Sequence, residues 1–241
     1  MHFSTNLGAE KMAKKETEKK QKNESTAEKV GSFILKNRII FLTVIVVVVL
    51  GVVGFSVYLK AAESKTAKIL EEIEKIEFNL TKGTAGLEEK DLQSYYSKAL
   101  DGLSKYTDKG GIAGARADLL SAEILFRTAK FSDAKEMYVN AAKKVKGTYL
   151  EPICYFNAAV AYEELNDADN AIDCYKKAVE SKDFGDPSHA LFSIARILQS
   201  KSDYIGAKEY YEKTIEKGEN DAFASAAKTC IIQMQIDGKV E

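Results

Sequence analysis

Histidine and cysteine are scarce in this chain: two histidines and three cysteines among 241 residues, with two prolines and no tryptophan. His2 and His189 have no neighbouring set of side chains at metal-ligand or nucleophile spacing. Cys154, Cys174 and Cys230 form an odd set without CxxC or zinc-finger spacing. Each lies among apolar neighbours in a helical pattern, where a small buried thiol is the expectation, although an out-facing domain leaves oxidation of one pair open. No strongly basic patch exists to make an electrostatic case for nucleic acid.

Several strings resemble chemistry but lack its other parts. Asn166-Asp-Ala-Asp-Asn170 has Ala171 where a calcium loop needs its next ligand, and it lacks the turn glycine. It is read instead as a turn between helices. Asp183-Phe-Gly185 has no glycine-rich loop, lysine strand or catalytic loop to accompany it. Gly110-Gly-Ile-Ala-Gly114 lacks the preceding strand of a dinucleotide fingerprint. Asn79-Leu-Thr81 fits a glycosylation sequon, which matters only in a eukaryotic secretory pathway. The expectation is a non-enzyme with no metal, cofactor or small-molecule substrate.

What the chain has in quantity is one apolar run. Ile39–Leu59 holds 21 residues without a charge, bounded by Lys36 and Arg38 before it and Lys60 after it. At about 1.5 Å per residue it spans roughly 30 Å as a helix, the thickness of a bilayer's hydrocarbon core. It is too long for a buried strand, and Tyr58-Leu-Lys-Ala-Ala62 offers no good small-x-small cleavage site. An uncleaved membrane anchor is therefore expected at 39–59. The lone span must be helical despite the β-branched run Val46–Val49, because lipid cannot hydrogen-bond an open backbone.

Charge is distributed unequally about this run. Residues 1–38 carry nine Lys/Arg against five Glu, a balance of +4, and the remainder carries 26 against 31, a balance of −5. Basic excess marks the cytoplasmic side, so an inward N-terminus and an outward C-terminal domain are expected. Residues 1–32 hold few apolar side chains, so disorder is expected there, with Met12 as an alternative start. Ala27–Lys36 is read as a short helix at the membrane surface, with Val30, Phe33, Ile34 and Leu35 meeting lipid.

Beyond the run, Ile69, Ile73, Ile76 and Leu80 make an apolar stripe on a helix over Ala61–Leu80. A second helix is expected over Glu88–Tyr106. A repeat then begins. Ala122-x2-Leu125…Phe131-x2-Ala134-x3-Tyr138-x2-Ala141 aligns with Ala159-x2-Tyr162…Ala171-x3-Tyr175-x2-Ala178. A third copy reads Ala195-x2-Leu198…Tyr204-x2-Ala207-x3-Tyr211-x2-Thr214, the copies being 37 and 36 residues apart. Each copy is two antiparallel helices, with alanines permitting close approach and tyrosine filling the wedge. One such unit cannot bury its own face, so neighbours must stack.

These residues resemble the tetratricopeptide repeat over about Ile112–Lys217. The family's tryptophan is replaced by Asp118, Tyr155 and Leu191, and Pro152 and Pro187 stand in the first turn of a helix, where a missing N–H costs nothing. The expected fold is all-α: a TPR-like antiparallel helix-pair solenoid following a single transmembrane helix. Its expected divisions are a basic tail (1–38), the span (39–59), a degenerate helix pair (60–110), three repeats (111–218) and a capping helix (219–241).

The resemblance implies a concave groove lined by the first helix of each unit at its second, fifth, ninth and twelfth positions. These are Arg116, Leu119, Glu123 and Phe126, then Ile153, Phe156, Val160 and Glu163, then His189, Phe192, Arg196 and Gln199. Leu119, Phe156 and Phe192 are expected to form an apolar column suited to an extended segment or amphipathic helix of a protein partner. Cover by the helices of Ala61–Tyr106 is the competing reading. Relatives that clamp acidic tails use Lys and Asn where this chain has Leu119 and Glu123, so a carboxylate clamp is not supported.

The layout along the whole chain is similar to that of the ancillary subunit of the bacterial Sec translocon. That resemblance implies an inner-membrane protein with a cytoplasmic N-terminus and a periplasmic domain, its partners being translocon subunits, periplasmic chaperones or secreted clients. A scaffold for another envelope complex is the alternative, and a eukaryotic TPR adaptor facing the cytosol would need the opposite orientation.

Overall fold

The computed structural model describes residues 15, 28–83, 89–219 and 221–241. Apart from Lys15, the expectations for residues 1–27 lie outside this set. The described residues form helices and turns with no strand. Contacts divide the chain into two units, Met1–Glu63 and Ser64–Glu241.

In the first unit a short helix α1 (28–36) passes through a turn at Asn37 into α2 (Arg38–Gly83). The apolar run and the helix expected over Ala61–Leu80 lie in α2, one helix of 46 residues. The cause of this continuity is local, since Lys60-Ala-Ala-Glu-Ser-Lys65 has neither Gly nor Pro and consists mostly of strong helix formers. The side chains of 39–59 are exposed, Val47 to 62% and Leu50 to 64%. Two of the three hydroxyls of this run bond within the helix, Thr43 Oγ1 donating to Ile39 O at 2.8 Å and Ser56 Oγ to Val52 O at 2.8 Å, and the third, Tyr58 at the end of the run, is exposed.

In the second unit the stripe of α2 finds its partners. Ile73 packs with Ala99 and Leu103 of α3 (Glu89–Ser104) and with Ala117, Leu120 and Ile124 of α4 (Gly111–Arg127), with Ile69, Ile76 and Leu80 at its margin. Gly102 permits this approach, because a Cβ there would meet Ile76 Cδ1 at 3.0 Å.

Three helix pairs follow: α4 with α5 (Phe131–Lys144), α6 (Leu150–Glu164) with α7 (Ala168–Glu180), and α8 (Pro187–Ser200) with α9 (Tyr204–Gly218). Each second helix also packs on the next first helix. Ala122, Ala134, Ala141, Ala159, Ala171, Ala178, Ala195 and Ala207 are all fully buried, and so are the closing Thr214 and the wedge residues Tyr175 and Tyr211. Thr214 replaces the expected alanine without an unpaired hydroxyl, since its Oγ1 bonds to Tyr210 O at 2.8 Å.

The turn within each pair repeats as faithfully as the helices. Ala129, Asn166 and Ser202 adopt left-handed backbone, with φ of 55°, 57° and 64°. The next amide then reaches back six residues inclusively: Lys130 N to Leu125 O, Asp167 N to Tyr162 O and Asp203 N to Leu198 O, at 2.9, 2.9 and 3.0 Å. This closes the preceding helix. Asp167 and Asp203 then cap α7 and α9 by accepting from Asn170 N and Gly206 N, while Lys130 offers α5 no side-chain cap.

A last helix α10 (Ala222–Ile236) packs on α9 and α8. Ala227 and Met234 are buried, and Phe223, Cys230 and Ile231 are half-buried. Asp221 caps it, accepting from Ala224 N at 2.7 Å and from Ser188 Oγ of α8, two bonds that hold its carboxyl below the ordinary value.

One core feature escaped the sequence. Asp118, standing where the family has tryptophan, is 1% exposed. Lys144 Nζ of α5 lies 2.5 Å from its Oδ2 and also donates to Thr107 O in the α3–α4 connection. Burial pushes the Asp118 carboxyl up despite Lys144, which pulls the other way.

Candidate functional site

The expected groove residues lie on the first helices as anticipated: four on α4, four on α6 and four on α8. None is fully buried, and Ile153, Glu123 and Arg196 are exposed. Their environments differ along the row.

At the α4 end, an open cleft of about 380 Å³ is lined by Arg116, Leu119, Glu123, Ile153, Asn157 and, from α2, Glu77. Arg116 is ion-paired with Glu77 at 2.9 Å, and Glu123 with Arg127 at 2.8 Å. The expected competition from the preceding helices is thus met at Arg116, which α2 engages through Glu77. Phe126 turns edge-on to Phe131, with ring centres 5.1 Å apart.

The twelfth positions of the next two pairs face their own wedge tyrosines. Tyr175 Oη donates to Glu163 Oε1 at 2.7 Å, and Tyr211 Oη to Gln199 Oε1 at 2.7 Å. Glu163 also takes the guanidinium of Arg196 on its other oxygen, which ties α6 to α8. Burial first, and then the bond to Glu163, raise the Tyr175 phenol. Tyr138 has Phe126 at the corresponding position, and burial pushes its phenol up to about 12.

At the α8 end the apolar column is aromatic and longer than expected. Phe156 contacts Phe184 at 5.7 Å and the ring of His189 edge-on at 4.9 Å. His189 stacks on Phe223 of α10 at 4.2 Å, and Phe223 meets Phe192 at 5.8 Å. Phe156 and Phe192 therefore communicate through His189 and Phe223. Leu119 stands apart from these rings, at the margin of two core clusters. Sequence reasoning missed the contributions of Phe184, Phe223 and Glu77 to this face. The available signal was the Asp221 cap, which aims the first turn of α10 at the start of α8. Val160 packs at the margin of the central core.

The other chemical candidates have structural roles. Asp167 and Asn170 bond to each other in the cap of α7, Asn170 Nδ2 donating at 2.8 Å. All three thiols are free; burial pushes Cys154 up to about 12 and Cys174 up to about 11, which removes their nucleophilic forms at neutral pH. Among the described residues no group of three His, Cys, Asp or Glu is placed to hold a metal.

Comparison with known proteins agrees with this architecture. The tetratricopeptide repeat family model matches residues 153–183 and 188–216, the second and third helix pairs. A TPR repeat-containing protein of Treponema pallidum (strain Nichols) is 26% identical over 130 residues, covering 54% of this chain and 54% of that protein. The chain thus spans about half the length of the curated relative it matches. Among solved structures, the apo form of RapI superposes with a TM-score of 0.50 at 19% identity, over 70% of this chain and 50% of that one. MamA gives a TM-score of 0.44 at 21% identity, over 53% of this chain and 75% of that one. The described residues form an all-α, TPR-like fold of helix pairs, of which the second and third match the tetratricopeptide repeat model. One helix among the described residues, α2, is long and apolar enough to cross a membrane by length and composition.

Proposed function

We propose that this chain is a membrane-anchored protein-interaction module whose groove, from Arg116 through Phe156 to Phe192, receives a segment of a protein partner. The observation that carries the reading is the row of half-exposed first-helix side chains on a buried alanine–tyrosine scaffold. The anchor reading rests on the apolar run of α2, 21 residues without a charge whose side chains are exposed along its length. The α2–α3 pair is taken as a degenerate fourth unit and α10 as the cap.

The finer assignment places the N-terminus in the cytoplasm and the repeats in the periplasm of a bacterial inner membrane. There they assist secreted or envelope proteins near the Sec translocon. The anchor would confine the groove beside the membrane and raise its effective concentration for emerging clients. The second reading is a scaffold subunit of another envelope complex, for which the +4 balance of residues 1–38 and the same anchor serve equally.

Purification from native membranes in mild detergent, with identification of co-purifying proteins, tests this. Translocon subunits and periplasmic chaperones, lost on removal of residues 60–241, are the expected result. A different envelope complex would discard the translocon assignment and keep the scaffold. If Phe156→Ala and Phe192→Ala leave both fold and every interaction intact, the groove is not the binding face.

A further inference from the structure

The helix that precedes the apolar run has a surface that the anchor alone does not explain. In α1, Val30, Phe33, Ile34 and Leu35 are exposed; at helical spacing the first three share one stripe, and Leu35, expected to meet lipid with them, lies off it on the side of Glu28. The stripe continues across the turn at Asn37: Phe33 and Phe41 meet edge-on with centres 6.1 Å apart, Asn37 Nδ2 bonds to Phe33 O at 2.9 Å, and Phe41 N bonds to Asn37 O at 3.1 Å. The charges around the stripe are sorted. Lys29 and Lys36, seven residues apart, border it beside Phe33, and Arg38 borders it beside Ile34. All three are exposed. The one carboxylate, Glu28, is on the opposite side of the helix. An apolar stripe with basic margins is the pattern of a helix seated at the boundary of head groups and acyl chains.

We infer that α1 is an interfacial helix that docks on anionic phospholipid, with Val30, Phe33 and Ile34 in the acyl boundary and Lys29, Lys36 and Arg38 on the head groups. The inference rests on the membrane-anchor reading of α2. Two features select this occupant: the stripe is continuous with the apolar run, and its cationic margin complements an anionic leaflet. Each Lys or Arg near such a surface raises partitioning roughly fivefold.

The absence of tryptophan makes the test direct. Full-length Phe33→Trp and, separately, Val48→Trp are reconstituted in vesicles of phosphatidylcholine, with or without phosphatidylglycerol, and quenched with brominated acyl chains. Val48→Trp is expected to be quenched in both lipids. Phe33→Trp is expected to be quenched more strongly with phosphatidylglycerol, and replacing Lys29, Lys36 and Arg38 by Gln is expected to abolish that increase. An unquenched Phe33→Trp beside a quenched Val48→Trp overturns the interfacial helix and leaves the anchor standing. Equal quenching of Phe33→Trp in both lipids, indifferent to the Gln replacements, overturns the anionic contact. An unquenched Val48→Trp overturns the anchor, and this inference with it.

Discussion

The first helix pair and the two that follow are built on the same backbone and held by different polar fittings. In the second and third pairs the wedge tyrosine bonds within its own unit, to Glu163 or Gln199, and an aspartate caps the second helix. In the first pair Phe126 stands at the position corresponding to Glu163 and Gln199, Lys130 offers no side-chain cap, and the polar links run both across the unit and beyond it. Lys144 bridges Asp118 to the α3–α4 connection, and Arg116 holds Glu77 of α2. The two later pairs carry their own caps and tyrosine bonds and are tied to each other through Glu163 and Arg196, whereas the first is a junction that joins the repeat stack to the helices before it. The matched family positions, 153–183 and 188–216, fall on the two later pairs.

This contrast can be broken most severely at Lys144. Lys144→Met leaves the Asp118 carboxylate buried without a partner, and urea unfolding is expected to show a loss of about 3–5 kcal/mol. Lys201→Met removes an exposed inter-repeat pair with Asp169 and is expected to cost no more than about 1 kcal/mol. Equal effects would remove the special standing of the junction.

A smaller difference separates the tyrosines. Tyr175→Phe loses a hydrogen bond to a carboxylate, about 1.5–3 kcal/mol, whereas Tyr138→Phe, with no side-chain acceptor at Phe126, is expected to stay within about 0.5 kcal/mol of the parent. Thermal or chemical unfolding of the pair reads this directly.

The caps come next. Asp167→Ala is expected to cost about 1 kcal/mol in unfolding free energy, and Lys130→Asp to stabilise the first pair by roughly the same amount by supplying the missing acceptor. A neutral Lys130→Asp would show that the α5 terminus is satisfied in another way.

The smallest effect is read through pH. The Asp118 carboxyl is raised in the folded protein, so its proton is held more tightly folded than unfolded. Its contribution to stability is fully present below the ordinary carboxylate value of 3.8 and is lost as pH rises through the raised value. Asp221 is lowered, so its contribution is present above 3.8 and is lost as pH falls through its lowered value. Between acid and neutral pH, Asp118→Asn is expected to gain stability relative to the parent. Asp221→Asn is expected to lose stability over the same interval.

Much of the architecture was legible in the residues. Alanines at Ala134, Ala171 and Ala207 with tyrosines four residues on are interpretable because close helix approach excludes large side chains at the first and demands one at the second. The groove row could be listed for a similar reason, since a first helix must show one face to its partner and another to solvent. The continuity of α2 was obscured by the change from apolar to charged residues at Lys60, which alters what surrounds a helix and leaves its backbone propensity intact. Asp118 was visible as a departure from the repeat, but its partner lies 26 residues away on another helix.

The sequence by itself determined the period of the helix pairs, the length of the apolar run and the sorting of charge on either side of it. Those properties depend on spacing along one chain, and side-chain size and polarity are sufficient to impose them. Only the tertiary structure decided that Lys144 neutralises Asp118, that Glu77 meets Arg116, and that Phe223 joins His189 and Phe192 across helices. Such pairings depend on the rotation and offset of one packed helix against another, which summed packing over many residues sets and no single stretch of sequence encodes.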